Sequence, residues 1–381
     1  MRTSYCDAVN EITCRAGITI NGSAPYDIRV SDQRFYARVL SAGSLGLGES
    51  YMEGWWHCEQ LHELMRRLLR SRIHSPSHFN LREIFAGINA KIMNLQSPRR
   101  AAEVARIHYN LPTEVFECML DSRMVYSCAY WKGVETLEAA QEQKLHLICQ
   151  KLGLSARDRL LDIGCGWGSL VRFACERYGC EAVGITISDT QAAYAQVHCA
   201  GLPIKIYTGD YRTIRQSIHG LFTKVASIGM FEHVGPKNYS TFMEIAKSVL
   251  ADDGLLLLQT IGDNRSETHC DPWLNKYIFP NGVAPSVQQI GNSTEGKFVL
   301  EDWHNFGPDY ARTLLSWYSN LISKYNPRMP VGQLSPSQFL RMLEYYLNSF
   351  ASAFAERHLQ LWQLVFSTGK RLSTYDRVRI M

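Results

Sequence analysis

Three glycines, Gly164, Gly166 and Gly168, occupy alternate positions just after Asp162, an acid that follows the apolar pair Leu160-Leu161. That spacing fits a buried strand turning tightly into a helix, because a residue without Cβ lets the backbone approach a bound molecule. The chemistry implied is the holding of a nucleotide-type cofactor. A dinucleotide fingerprint needs G-x-G-x-x-G and an acid about 20 residues on, whereas here the third glycine comes one place early. A phosphate-cradling loop needs a terminal Gly-Lys-Ser/Thr, which is missing. The compact loop, with Cys165 and Trp167 inside it and Asp162 expected to organise its turn, suits a cofactor without pyrophosphate. S-adenosylmethionine is the leading candidate.

The elements around the loop follow from periodicity. A long helix is expected over 135–152, a strand over 160–163 and a helix to 178. Strands follow at 182–187, 204–207 and 224–228, with helices from 189 and over 239–250. The strongest strand is 255–261, and late strands at 298–303 and 359–366 complete the sheet. Strands alternating with helices predict an α/β fold, a parallel sheet covered on both faces. Ligands in such sheets bind beyond the carboxyl ends of the strands. This rule gathers 164–168, Thr186 to Ser188, Gly209-Asp210-Tyr211, and 229–235 around one crevice. After the second strand, Thr186, Ser188 and Gln191 offer hydrogen bonds without charge.

The chain has 381 residues, 46% hydrophobic and 20% charged, which suits a folded protein of two domains. No apolar run reaches the ~18 residues of a membrane span, and the first ten residues do not read as a secretory signal. Eleven cysteines without a C-x-x-C pair argue for a reducing cytoplasm and against disulfides or a metal site. The net charge of +4 is concentrated. Between Leu64 and Arg106 stand Arg66, Arg67, Arg70, Arg72, Arg82, Lys91, Arg99, Arg100 and Arg106, against only Glu83 and Glu103. Apolar residues at helical spacing run through this band (Leu81, Ile84, Phe85, Ile88, Ile92, Leu95). The pattern fits either a membrane-surface element or a packed helix with a solvated basic face. No base-reading motif accompanies the charge, so nucleic acid is not expected.

The first part of the chain reads as helical, with a glycine-rich break over 43–48. A boundary is expected near Asn94 to Pro98. The division is then 1–98 as a helical domain for lipid docking and a dimer contact, 99–120 as a linker, and 121–381 as the cofactor-binding domain.

Two further segments carry chemistry. Tyr126-Ser127-Cys128-Ala129-Tyr130-Trp131 precedes the first helix of the sheet domain, and Gly229-Met230-Phe231-Glu232-His233-Val234-Gly235 follows the fourth strand. They combine with the glycine loop, Gly43 to Ser50, Asp271-Pro272-Trp273, Pro280-Asn281-Gly282 and Glu301 to Phe306. Together these segments resemble the cyclopropane-fatty-acid synthases and the mycolic acid cyclopropane synthases over nearly the whole chain, and the two-domain length is similar to the bacterial phospholipid enzymes. The resemblance implies a methyltransferase fold that moves the S-adenosylmethionine methyl to a cis double bond of a phospholipid acyl chain. A carbocation then loses a proton and closes a ring. It implies cofactor contacts from Tyr126, Ser127, Asp162, Gly164 to Gly168, Thr186, Ser188, Gln191, Asp210 and Tyr211. It also implies a bicarbonate base held by Cys128, Glu232, position 259, Ile261 and Tyr310. A homodimer, peripherally attached to the inner face of the cell membrane, is expected.

An alkene is a poor nucleophile, so the site must supply alignment, and aromatic faces can stabilise the cation. Tyr130, Trp131, Trp303, Phe306, Tyr310, Trp317 and Tyr318 are candidates, of which two or three are expected to face it. Glu232, as a buried acid, is itself a possible base. His233, one position along, is expected to point to the other face. Cys128 has no nearby base or cation in sequence and is not expected to act as a nucleophile. The chain departs from the family pattern at Gln259, where His is usual, and at Phe350, where some relatives carry cysteine. Glutamine keeps a donor and an acceptor but no charge, so weaker bicarbonate binding is expected. Two other outcomes stay open, a methyl-branched lipid product and a silent lipid-binding protein.

Overall fold

The computed structural model describes residues 4–71, 96, 112–325, 331–371, 374–376 and 378. Most of the basic band, from Arg72 to Arg106 apart from Gln96, and the expected linker up to residue 111, lie outside the described residues.

Two compact units are present, and neither is a continuous piece of chain. The helical unit comprises Met1–Met93, His269–Pro280 and Tyr310–Leu359, so it draws two later stretches into what the sequence suggests is an N-terminal domain. Its main helices are Tyr5–Arg15, Arg34–Met52, Leu61–Arg70 and Pro336–Ala355. Ser4 and Ser335 start the first and last of these with reciprocal capping boxes. A short antiparallel pair, β1 (Arg29–Val30) and β2 (Trp56–His57), lies between them in the chain. The expected break over 43–48 shrinks to one residue. Gly43 alone leaves helical geometry, at φ 55° and ψ −129°, while Gly46 and Gly48 stay in the helix. Gly48 is glycine for another reason: the Trp273 ring fills the space a Cβ would need. Among the basic residues described, Arg66 and Arg70 are paired with Glu356 at 2.6 and 2.8 Å, and Arg67 with Glu63 at 2.9 Å.

The second unit, Asn94–Thr268, Asn281–Asp309 and Gln360–Met381, holds a seven-stranded sheet. Its strands are β3 (Arg159–Ile163), β4 (Glu181–Thr186), β5 (Ile204–Thr208), β6 (Phe222–Ile228), β7 (Leu250–Asp263), β8 (Val299–Asn305) and β9 (Leu359–Ser367), in the order β5-β4-β3-β6-β7-β9-β8. β3 pairs in parallel with both β4 and β6, and β8 pairs antiparallel with β9. Alternate residues feed two apolar layers. Leu161, Ile163, Val225, Leu256 and Leu258 enter one, while Leu160, Ala226, Leu255 and Leu257 enter the other. The chain winds outward from β3 to β5 and returns at β6, so the crevice for a ligand opens beyond the ends of β3 and β6. β7 begins earlier than its apolar run because Phe222 pairs with Leu250 across a bulge.

Candidate active site

The glycine loop begins where β3 ends. Gly164, Gly166 and Gly168 all have positive φ, at 89°, 53° and 84°. A Cβ on Gly164 would sit 2.6 Å from Met230 Cγ, and one on Gly168 would sit 3.0 Å from Ala195 Cβ. Gly166 differs, since nothing lies within 4 Å of its Cβ direction. The loop is pinned from below, with the Gly164 and Cys165 amides donating to Ile185 O at 2.8 and 3.0 Å. These backbone bonds fix the turn. Asp162 was expected to organise it, but its buried Oδ1 has no hydrogen-bond partner, and burial pushes its carboxyl up to about 7. Trp167 lies between Phe116 and Tyr194, with ring centroids 5.5 and 5.0 Å away, and its indole N–H is also unpartnered.

The polar residues after β4 and β5 are occupied with one another. Thr186 Oγ1 donates to Gln191 Oε1 at 3.0 Å, and Ser188 caps the next helix by accepting from the Gln191 amide at 3.3 Å. Asp210 caps the turn Tyr211–Thr213 and pairs with Arg212 at 2.7 Å.

The segment from Tyr126 to Trp131 is held by residues that sequence reasoning missed. Met124, just upstream, takes the strained φ of 57°. Asp121 accepts from the Val125 amide at 2.9 Å, and Ser169 Oγ donates to Arg123 O at 2.6 Å. From the helix Leu137–Leu152, Gln141 Nε2 donates to Ser127 O at 2.9 Å and Lys144 Nζ donates to Ser127 Oγ at 3.0 Å. Gln141 and Lys144 are both buried. The available signal was their spacing, two polar residues three apart on a helix face otherwise made of Leu137, Ala140, Leu145 and Ile148. Cys128 is fully buried and its thiol donates to Ala129 O at 3.1 Å. Tyr126 meets Phe116 edge-on at 5.2 Å, while Tyr130 meets Phe306 at 5.4 Å and His304 at 5.6 Å.

Glu232 stands in a single 3₁₀ turn, Phe231–His233, just past β6. The strand alternation invoked for His233 therefore does not apply, because the backbone has already left the strand. Burial holds the His233 ring neutral, with its pKa lowered to about 4. Glu232 Oε1 accepts from the Ile261 amide at 2.6 Å, while Oε2 is buried with no partner. Desolvation pushes the carboxyl up to about 7 against the hydrogen bonds that favour its charged form. On the adjoining β7, Gln259 Oε1 accepts from Gln363 Nε2 at 2.9 Å, and the Gln259 Nε2 is left unpartnered. Glu232, Gln259 and Ile261 are thus brought to one strand end.

Tyr310 belongs to the helical unit, where it packs on Phe354 at 4.6 Å and Trp317 at 6.0 Å. Several aromatics have structural partners. Trp317 is fully buried, the Tyr318 hydroxyl donates to Glu344 at 2.7 Å, and Trp303 packs on Trp362 at 5.1 Å. Phe350 sits among the rings of Phe279, Tyr346 and Phe354.

Known proteins resolve which enzymes share this arrangement. The family model for mycolic acid cyclopropane synthetase matches residues 96–364. The cyclopropane-fatty-acyl-phospholipid synthase of Escherichia coli strain K12 is 48% identical over 362 residues, 94% of this chain and 92% of that protein. The chain belongs to the cyclopropane synthase family. Among solved members of this family, the cyclopropane synthase MmaA2 of Mycobacterium tuberculosis superposes with a TM-score of 0.62 at 28% identity, covering 70% of this chain and 97% of that one. The mycolic acid cyclopropane synthase CmaA1, in complex with SAH and CTAB, gives 0.60 at 28% identity over the same shares. No helix among the described residues is long and apolar enough to cross a membrane.

Proposed function

We propose that this family member adds a methylene unit, from the S-adenosylmethionine methyl group, across a cis double bond of an unsaturated phospholipid acyl chain, and that bound bicarbonate is the base. The observation that carries the reading is the pair of unpartnered buried groups at the strand ends, Glu232 Oε2 and Gln259 Nε2. One is an acceptor and the other a donor, which matches a small anion that still carries a proton. Leaving either group unmet in a dry site is costly, so a ligand that meets both binds with a clear advantage.

The residues present also fit the cofactor. Gly166 opens space above the loop, Asp162 offers an unmet acid oxygen to an ammonium group, and Trp167 offers an unmet N–H. S-adenosylmethionine, once bound, supplies an electrophilic methyl on a sulfonium. The Gly164–Gly168 loop sets its position, and Tyr126, Ser127, Thr186, Ser188, Gln191, Asp210 and Tyr211 surround it in our reading. Bicarbonate, once bound, supplies a base small enough to reach a methyl that a tethered side chain would miss. Glu232 Oε2 and Gln259 Nε2 would hold it, while the Ile261 amide fixes Glu232 Oε1. Cys128 joins the cradle in this proposal, and Tyr310 is carried over from the family resemblance alone. Tyr130 and Phe306 offer ring faces to the developing cation and keep water from it.

Purified protein with S-adenosylmethionine and unsaturated phospholipid vesicles, read by lipid mass spectrometry, tests the function. A product heavier than the olefin by CH2 that survives ozonolysis supports the ring. A product of the same mass that ozonolysis cleaves identifies a methyl-branched olefin, and no adenosylhomocysteine release identifies a silent lipid binder. A rate that stays flat when bicarbonate is titrated into CO2-depleted enzyme removes the bicarbonate assignment.

We further propose that the basic band 64–106 docks on an anionic membrane surface and that the helical unit contributes a homodimer contact. Charge reversal at Arg99 and Arg100 should weaken vesicle binding at low salt, and equilibrium sedimentation should give twice the chain mass.

A further inference from the structure

A fully buried ammonium group stands beneath the cofactor crevice and has no part in the reaction as described. Lys144 is 1% exposed, and its Nζ donates to Ser127 Oγ at 3.0 Å. A lysine can only donate hydrogen bonds. It therefore fixes Ser127 Oγ as the acceptor and frees the serine's own O–H to donate elsewhere. Among the described residues no acceptor takes that hydrogen. Gln141 Oε1, on the residue that grips the Ser127 carbonyl, has no partner at all. Burial lowers the Lys144 ammonium to about 8, against the fields of Asp121 and Asp162, which favour its charged form. Ser127 packs against Gly229 at the mouth of the crevice, where a Cβ on that glycine would come within 3.7 Å of the serine Cβ.

We propose that Lys144 is a positioning residue that presents the Ser127 hydroxyl, with its hydrogen free to donate, to the carboxylate of the S-adenosylmethionine amino-acid moiety. The inference rests on the cofactor reading above and extends it to one ligand group and one supporting side chain. Gln141 fixes the serine backbone, and Lys144 fixes the direction of its hydroxyl. A donating hydroxyl backed by a buried cation favours an anionic ligand group over a neutral one.

The test compares two ligands that differ only in that carboxylate, S-adenosylmethionine and its decarboxylated form, by titration calorimetry on the full chain. Lys144→Met should weaken S-adenosylmethionine binding about tenfold, the scale of one lost charge-assisted hydrogen bond. Binding of the decarboxylated form should change less than about twofold, because the hydroxyl then meets no carboxylate. Ser127→Ala leaves the buried lysine in place and should show the same ligand selectivity, which covers the case in which Lys144→Met does not fold. Equal losses for both ligands, or full S-adenosylmethionine affinity in Ser127→Ala, would overturn the proposal. Wild-type protein that binds neither ligand would instead overturn the cofactor reading.

Discussion

The two ends of the crevice differ in how much of their polar surface is already paired. Around the cofactor loop, Thr186 bonds Gln191, Ser188 caps a helix, Asp210 pairs with Arg212, and the Gly164 and Cys165 amides are tied to Ile185. At the end of β6 and β7, Glu232 and Gln259 each keep one buried polar atom without a partner. The first region is largely paired before any ligand arrives, with Asp162 Oδ1 and Trp167 Nε1 as its open contacts. The second keeps unmet hydrogen-bonding capacity in a dry environment, where each such group costs free energy until it is met. Pre-formed shape suits a large cofactor with many weak contacts. Unmet groups suit a small ion that must be gripped by few.

The sharpest way to break this comparison is Glu232→Gln. The amide can still accept from Ile261, but it cannot offer a charged acceptor, so cyclopropane formation should fall by about 100-fold or more. Cofactor affinity, measured by calorimetry, should be unchanged, and loss of both together would mean the two ends are one site. Next in size is the contrast between Gly164→Ala and Gly166→Ala. The first combines a positive φ with a Cβ 2.6 Å from Met230 and should destabilise the fold by about 2 kcal/mol in a denaturant melt. The second carries only the backbone strain, about 1 kcal/mol, and should chiefly weaken cofactor binding by filling the open space.

A smaller effect separates the two glutamines. Gln363→Leu releases the Gln259 amide and should raise the bicarbonate concentration needed for half-maximal rate by about fivefold, roughly one neutral hydrogen bond. Gln259→His should lower it relative to wild type, and an increase would count against the cradle. The smallest effect is a pH dependence of stability. Burial raises Glu232 from 4.5 to about 7. Below the lower value the group is neutral in both folded and unfolded chains, and its contribution is fully present. As pH rises through the window the unfolded chain ionises first, so stability is lost up to the folded value. The wild-type melting temperature should therefore fall across that range, and Glu232→Gln should flatten the fall by about 2–4 °C.

Most of the sheet was legible because local rules govern it. Apolar runs between helices marked every strand from β3 to β9, though β7 starts at Leu250, ahead of the expected 255, and the glycine spacing marked the turn after β3. Local pattern misled where a residue's role depends on a distant neighbour. Gly46 and Gly48 read as a chain break, yet Gly48 is small to admit Trp273, more than 200 positions away in the sequence. Asp162 read as a turn organiser, and the backbone of Ile185 does that work instead.

The sequence by itself determined the class of fold, the kind of cofactor loop and, through Tyr126 to Trp131 and Gly229 to Gly235, the family resemblance. Those features repeat at short range, where helix and strand periods and the steric demands of glycine act directly. Only the tertiary structure decided which polar atoms are met and which are left open. Gln259 finds its partner 104 residues along the chain in Gln363, and Lys144 reaches back 17 residues to Ser127. Such pairings arise from how the strands and helices pack. An acid, an amide and a lysine look alike in sequence whether their hydrogen bonds are satisfied or waiting for a ligand.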